Sequence, residues 1–149
     1  MKKTVFIVSL IFSFAAFNAT AAGIPAEKVT RPEGSEPFQG DRAELVTKGA
    51  VLWDDKSLSN NGKKACSSCH KGATKMFKDS FKADYPHAVK MPKKKSKLAE
   101  VDAEQMVQFC MLAAMKNDDV LPWDSEELAA LTAFSVDVVQ KNYREAKAK

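Results

Sequence analysis

From Thr4 to Phe17 the chain is a nearly unbroken apolar run, and no later stretch repeats that texture. Beyond residue 40 the apolar positions become periodic. Ala43, Val46, Ala50 and Trp53 follow a mostly helical spacing, and Asp41 with Glu44 three residues later predicts a capped start. Gly49 falls inside this helix, where glycine costs about 1 kcal/mol relative to alanine, so another helix is expected to cross closely there. A second helix is predicted from Asp102, with Gln105 completing the capping box, to about Met115. It places Met106, Phe109, Cys110, Ala113 and Ala114 on one side. Asn117-Asp118-Asp119 ends it. A third box, Asp124 to Glu127, opens a last helix to about Tyr143 that turns Leu128, Leu131, Ala133, Phe134 and Val138 toward a core.

The connections are polar. Asp54 to Gly62 is loop-like, with Asn60-Asn61-Gly62 as a turn, and the lysine-rich stretch up to Lys97 is expected to form loops and short turns. There is no internal repeat, and strand signals are negligible. The fold class is mostly α with no significant sheet, in one small domain.

The apolar run changes the outer limits of that domain. Met1-Lys2-Lys3 precedes it and the small residues Asn18-Ala19-Thr20-Ala21 follow, so residues 1–22 read as a secretory signal peptide cut after Ala21 or Ala22. The run is shorter than the ~20 residues a membrane span needs, and no other stretch could cross one, so stable membrane insertion is not expected. Residues 23–40 carry Pro25, Pro32, Pro37, Gly34 and Gly40 and read as an extended, poorly ordered lead-in. Residues 41–149 form the folded domain, long enough for a real core and expected to be a monomer.

The chemistry centres on Cys66-Ser67-Ser68-Cys69-His70, a C-x-x-C-H run. This is the attachment pattern of a c-type haem. Two thiols spaced two residues apart add across the vinyl groups of one porphyrin edge, and the adjacent imidazole lies under the iron as proximal ligand. A zinc half-site would need a second ligand pair, and a redox dithiol would want a βαβ setting; neither accompanies the motif. Haem attachment takes place outside the cytoplasm, so the motif and the export signal agree on a bacterial periplasm. The cysteine count is three, which leaves Cys110 without a disulfide partner.

Charge matters through its distribution. The formal net charge of +4 falls once Lys2 and Lys3 are removed with the signal peptide. From Lys56 to Lys97, however, there are twelve lysines against two acids, Asp79 and Asp84, whereas from Leu98 onward ten acids face five basic residues. A basic face spanning Lys63 to Lys97 beside the haem motif would steer association with an acidic redox partner protein. Nucleic acid is set aside as a partner for an exported chain.

The order of parts resembles class I cytochrome c. Gly49 and Trp53 match the glycine and aromatic of that family's first helix, and Leu131-Thr132-Ala133-Phe134 matches the leucine and aromatic of its last. The resemblance covers about residues 41–142 and implies helices packed around one covalently bound haem c. From Tyr85 to Phe134 the chain is also similar to the haem domain of thiosulfate dehydrogenases and the diheme subunit of the periplasmic sulfur-oxidising complex. Tyr85-Pro86, Phe109-Cys110, Met115-Lys116-Asn117, Leu121-Pro122, Asp124-Ser125 and Ala133-Phe134 carry that likeness. It implies that a cysteine at the position of Cys110 can bind the haem iron. The chain departs from those proteins in holding one haem motif and in its Lys93-Lys94-Lys95 run.

The distal ligand decides function, because it sets both the potential and the openness of the iron. Met115 is the leading candidate. It follows the second helix and lies nineteen residues before Phe134, close to the separation seen for the distal methionine in small class I cytochromes. Met111 and Cys110 are alternatives; Met91, beside Pro92, and His87 are weaker ones. With Met115 the protein would be an electron carrier with no catalytic residue. With Cys110 it would be a sulfur-compound-oxidising enzyme of the thiosulfate type, or a subunit of one.

Overall fold

The computed structural model describes residues 23–70 and 79–148. The expected signal peptide, 1–22, lies outside the described residues, as do Lys71, Lys75, Met76, Phe77 and Lys78. Six α-helices follow in order: α1 (Arg42–Trp53), α2 (Cys66–His70), α3 (Lys90–Ser96), α4 (Ala103–Ala113), α5 (Glu126–Phe134) and α6 (Lys141–Ala148). A π-helical segment, Ser135–Gln140, joins α5 to α6. Among the described residues the only β pairing is an isolated bridge between His87 and Val101, so the mostly helical, sheet-free class stands. No described helix is long and apolar enough to cross a membrane.

Capping chemistry sets the helix starts. The Asp41 carboxylate accepts from the Ala43 and Glu44 amides, and Asp102 with Gln105 forms the full reciprocal box. At α5 the cap is Ser125, whose hydroxyl accepts from the Leu128 amide, and not the expected Asp124. Ser125 is placed for this because its own hydroxyl also donates to the Pro122 carbonyl, which tightens the turn.

The core of the fold is the crossing of α1 and α5. A Cβ on Gly49 would lie 2.1 Å from the Ala130 carbonyl oxygen and 2.6 Å from the Phe134 Cβ, so the expected close crossing is present and only glycine allows it. The buried stripe of α1 is Leu45, Gly49 and Trp53, four residues apart. Of the expected Ala43, Val46, Ala50 and Trp53 positions, Trp53 is buried, Val46 packs partly against the Leu45 cluster, Ala50 is half-buried and Ala43 is exposed. Steric fit at Gly49 fixes the rotation, and alanine is too small a side chain to oppose it. Arg42 pairs with Asp137 at 2.7 Å and Lys48 with Glu126 at 2.6 Å along the edges of the crossing.

Two further expectations are corrected. The lysine-rich stretch holds α3, a short helix in place of loops; Pro92 sits in its first turn, where its missing N–H is harmless, and Lys93, Lys94 and Lys95 lie in the last turn, where cations suit the dipole. The lead-in is not loose. Residues Ala26–Val29 form a 3-10 turn, Val29 is 0 % exposed, and the Ile24 amide donates to the Lys95 carbonyl.

Candidate haem site

The site begins with α2, which puts Cys66 and Cys69 three residues apart on one helical face and His70 next to them. Ser68, one of the two intervening residues, is structural: its hydroxyl accepts from the Ala65 amide at 2.9 Å, while its own amide donates to the Ala65 carbonyl. This closes the turn that aims both thiols. The same stretch leaves Lys64 beside the cavity, with Nζ donating to the Ala114 carbonyl at 2.8 Å, which satisfies the C-terminal end of α4.

The cavity that these residues open onto has about 610 Å³ of empty space, part of it open to solvent. Trp53, Phe81, Val107 and Leu131 supply apolar walls. The His70 ring lies 5.4 Å from Trp53 and 5.3 Å from Phe81, edge-on to the latter. Trp53 in turn packs on Phe134 at 5.5 Å and Phe81 on Tyr143 at 6.2 Å, so the ring is backed by α1, α5 and α6. Gln140, at the end of the π-helical segment, and Tyr143, three residues on and on the same helical face, are both buried. Burial pushes the His70 imidazole down to about 4, which keeps it neutral and able to ligate a metal.

The facing wall is α4. Met106, Val107, Cys110, Met111 and Ala114 line the cavity from successive turns, and Met115 closes it just beyond the helix end. Met115 is 3 % exposed and Met111 2 %. The Ser80 hydroxyl contacts the Met106 sulfur at 3.9 Å. Cys110 is a half-buried free thiol whose pKa is pushed up to about 12, first by burial and then by the nearby Cys66 and Cys69 groups. Burial likewise raises Cys66 to about 11. In the holoprotein these two attachment thiols would be thioether sulfurs.

The structure thus brings Cys66, Cys69 and His70 together with Cys110, Met111 and Met115 around one cavity. It does not bring Met91 or His87 there. Met91 is 48 % exposed on α3, and His87 is buried elsewhere, with Nε2 bonded to the Asp79 carbonyl at 2.8 Å. Two positions that sequence reading passed over hold the facing wall in place. Gln108, 0 % exposed, donates to the Leu121 carbonyl at 2.7 Å and accepts from the Leu121 amide at 3.0 Å. Asn117 donates to the Leu58 carbonyl and accepts from the Asn60 amide, just after Lys116 turns the chain at φ 64°. A buried glutamine amid apolar residues was the available signal for the first of these.

The residues fit a haem c. An apolar cavity excludes water, two thiols at attachment spacing share a wall with a neutral imidazole, and sulfur donors face them. Among the described residues no group of three or more histidine, cysteine and acidic side chains is placed to hold a metal ion. A family model, SoxA/TsdA cytochrome c domain, matches residues 48–140, from within α1 to the end of the π-helical segment. No curated protein and no solved structure matches the chain.

Proposed function

We propose a function from this premise: the chain belongs to the SoxA/TsdA cytochrome c domain family. Such a domain carries covalently bound haem c and serves electron transfer. Our reading is a single-haem carrier of the periplasm that passes electrons one at a time between larger redox proteins. The observation that supports it is the cavity itself, with attachment groups on one wall and sulfur side chains closing the other. Haem, when bound, supplies a reversible one-electron centre. Trp53 and Phe81 pack on the His70 ring and fix its orientation; His70 would ligate the haem, and Cys66 and Cys69 would tether it. Met115, the leading sixth ligand, would fill the remaining position with a neutral thioether, which favours a high potential and leaves no opening for substrate.

The charge pattern supports a protein partner. Lys63, Lys90, Lys93, Lys94, Lys95 and Lys97 are exposed and form no salt bridge among the described residues. An acidic redox protein suits that face. Oxidation of the reduced holoprotein by hexacyanoferrate(III), an anionic probe, is expected to slow as ionic strength rises. A salt-independent rate would remove the docking part of the reading.

A second reading is favoured by Cys110, which lies in the middle of the α4 stripe that lines the cavity. A thiolate ligand there would suit a sulfur-compound-oxidising enzyme or subunit, as the family name suggests. Reduction of the oxidised holoprotein by thiosulfate, abolished in Cys110→Ala, would favour this over the carrier.

A further inference from the structure

Between residues 24 and 31 the segment before α1 is fastened to α4 and the turn beyond it. At the start of α4, Arg31 Nη2 pairs with the Glu104 carboxylate at 2.5 Å, and the Gln105 amide reaches Thr30 Oγ1 at 3.4 Å. In the middle, Val29 shares a buried cluster with Met106 and Phe109, against which Cys110, Leu112 and Ala113 also pack. Past the end of α4, Lys28 Nζ donates to the Asp118 carbonyl at 3.2 Å. Arg31 Nη1 donates to the Trp123 carbonyl at 2.6 Å, with the guanidinium 5.3 Å from the Trp123 ring. Gly23 begins the segment where a Cβ would stand 2.5 Å from the Lys95 carbonyl oxygen.

Two of the residues joined to this cluster, Met106 and Cys110, also line the cavity. The Arg31–Glu104 pair is sheltered, with side chains 21 % and 23 % exposed; in each of the other described salt bridges at least one partner is more than a third exposed. A planar guanidinium that holds a carboxylate, a carbonyl and an aromatic face at once fixes orientation as well as distance. No residue of the segment itself lines the cavity. The common target of these fastenings is the placement of α4.

We propose that residues 23–31 act as a strap that sets the distance of α4 from the haem face, with Arg31 and Val29 as positioning residues for the sixth ligand. The proposal rests on the reading above that α4 or its end supplies that ligand. A strap of this kind governs how readily the sixth ligand detaches. Loosening it lets α4 drift, weakens the iron–sulfur bond and opens the site to a competing small ligand.

The test is carbon monoxide binding to the reduced holoprotein, followed by stopped flow, with the midpoint potential measured alongside. Arg31→Ala and Val29→Ala are expected to bind at least fivefold faster than the unaltered protein and to shift the potential. Arg31→Lys, which keeps the charge but not the fork, is expected to fall between. Arg42→Ala is the control, since it breaks an exposed pair remote from α4 and lowers stability without touching the strap; its binding rate is expected to match the unaltered protein. Equal rates for Arg31→Ala and the unaltered protein, or an equal acceleration by Arg42→Ala, would overturn the strap. Should the unaltered protein already bind as fast as a Cys110→Ala/Met111→Ala/Met115→Ala triple variant, none of these sulfurs is a ligand to be positioned. Both the strap and the ligand reading would then fall.

Discussion

The wall that carries Cys66, Cys69 and His70 is five consecutive residues of one short helix, whereas the facing wall collects side chains from successive turns of α4 and its exit. The first is local. Its spacing is written into the chain, and Ser68 closes its turn from within. The second is assembled at long range, by the Val29 cluster, by Gln108 on Leu121, and by Asn117 on Leu58 and Asn60. Attachment chemistry is therefore robust to distant change. Tuning of a sixth position would be exposed to it, because the sulfur side chains facing the attachment wall are carried by α4 and its exit.

Breaking the attachment wall should have the largest effect. A Cys66→Ser/Cys69→Ser double variant is expected to lose haem staining on a denaturing gel altogether; a retained band would place attachment elsewhere. Gly49→Ala comes next. Its new methyl would meet backbone at Ala130, so α1 and α5 must part, at a cost of about 2–3 kcal/mol in denaturant unfolding. Trp53 on the same helix then loses its seat against His70. A neutral result would show that the crossing yields freely.

The facing wall should break through Gln108. Gln108→Leu strips the Leu121 amide and carbonyl of their partners, which is expected to destabilise by about 1–2 kcal/mol and to perturb the spectrum of the sixth ligand while leaving attachment intact. Loss of attachment in this variant would deny that the walls are independent. The smallest effect belongs to neither wall. Hydrogen bonding to Arg42 holds the Asp137 carboxyl below its ordinary 3.8. Its contribution is thus present above that pH and lost as acid protonates it through the lowered value, within ~1 kcal/mol for so exposed a pair. Asp137→Asn is expected to flatten the acid limb of a stability–pH profile.

The same contrast explains what could be read from the chain. The Asp102 box and the close approach at Gly49 are placed as expected, and the C-x-x-C-H run forms a short helix on the cavity wall. The rotation of α1 could not be read, because Ala43 and Ala50 offer too little apolar area to mark a face and the decision was made by Ala130 on another helix. Nor could the packing of residues 23–40. Their prolines and glycines suggest looseness, yet one valine in a buried apolar cluster and one arginine between α4 and Trp123 seat residues up to Arg31. Helix α3 hid for a related reason: its lysines signal solvent, and only the buried Pro92 and Ser96 give it an inner side.

The facing wall offers Met115, Met111 and Cys110 together, so the central claim is which of them holds the iron. Near-infrared and low-temperature EPR spectra of the oxidised holoprotein address it directly. The carrier account predicts a thioether-to-iron charge-transfer band that survives Cys110→Ala and disappears in Met115→Ala. A thiolate-type signal of narrow anisotropy that disappears in Cys110→Ala would contradict it.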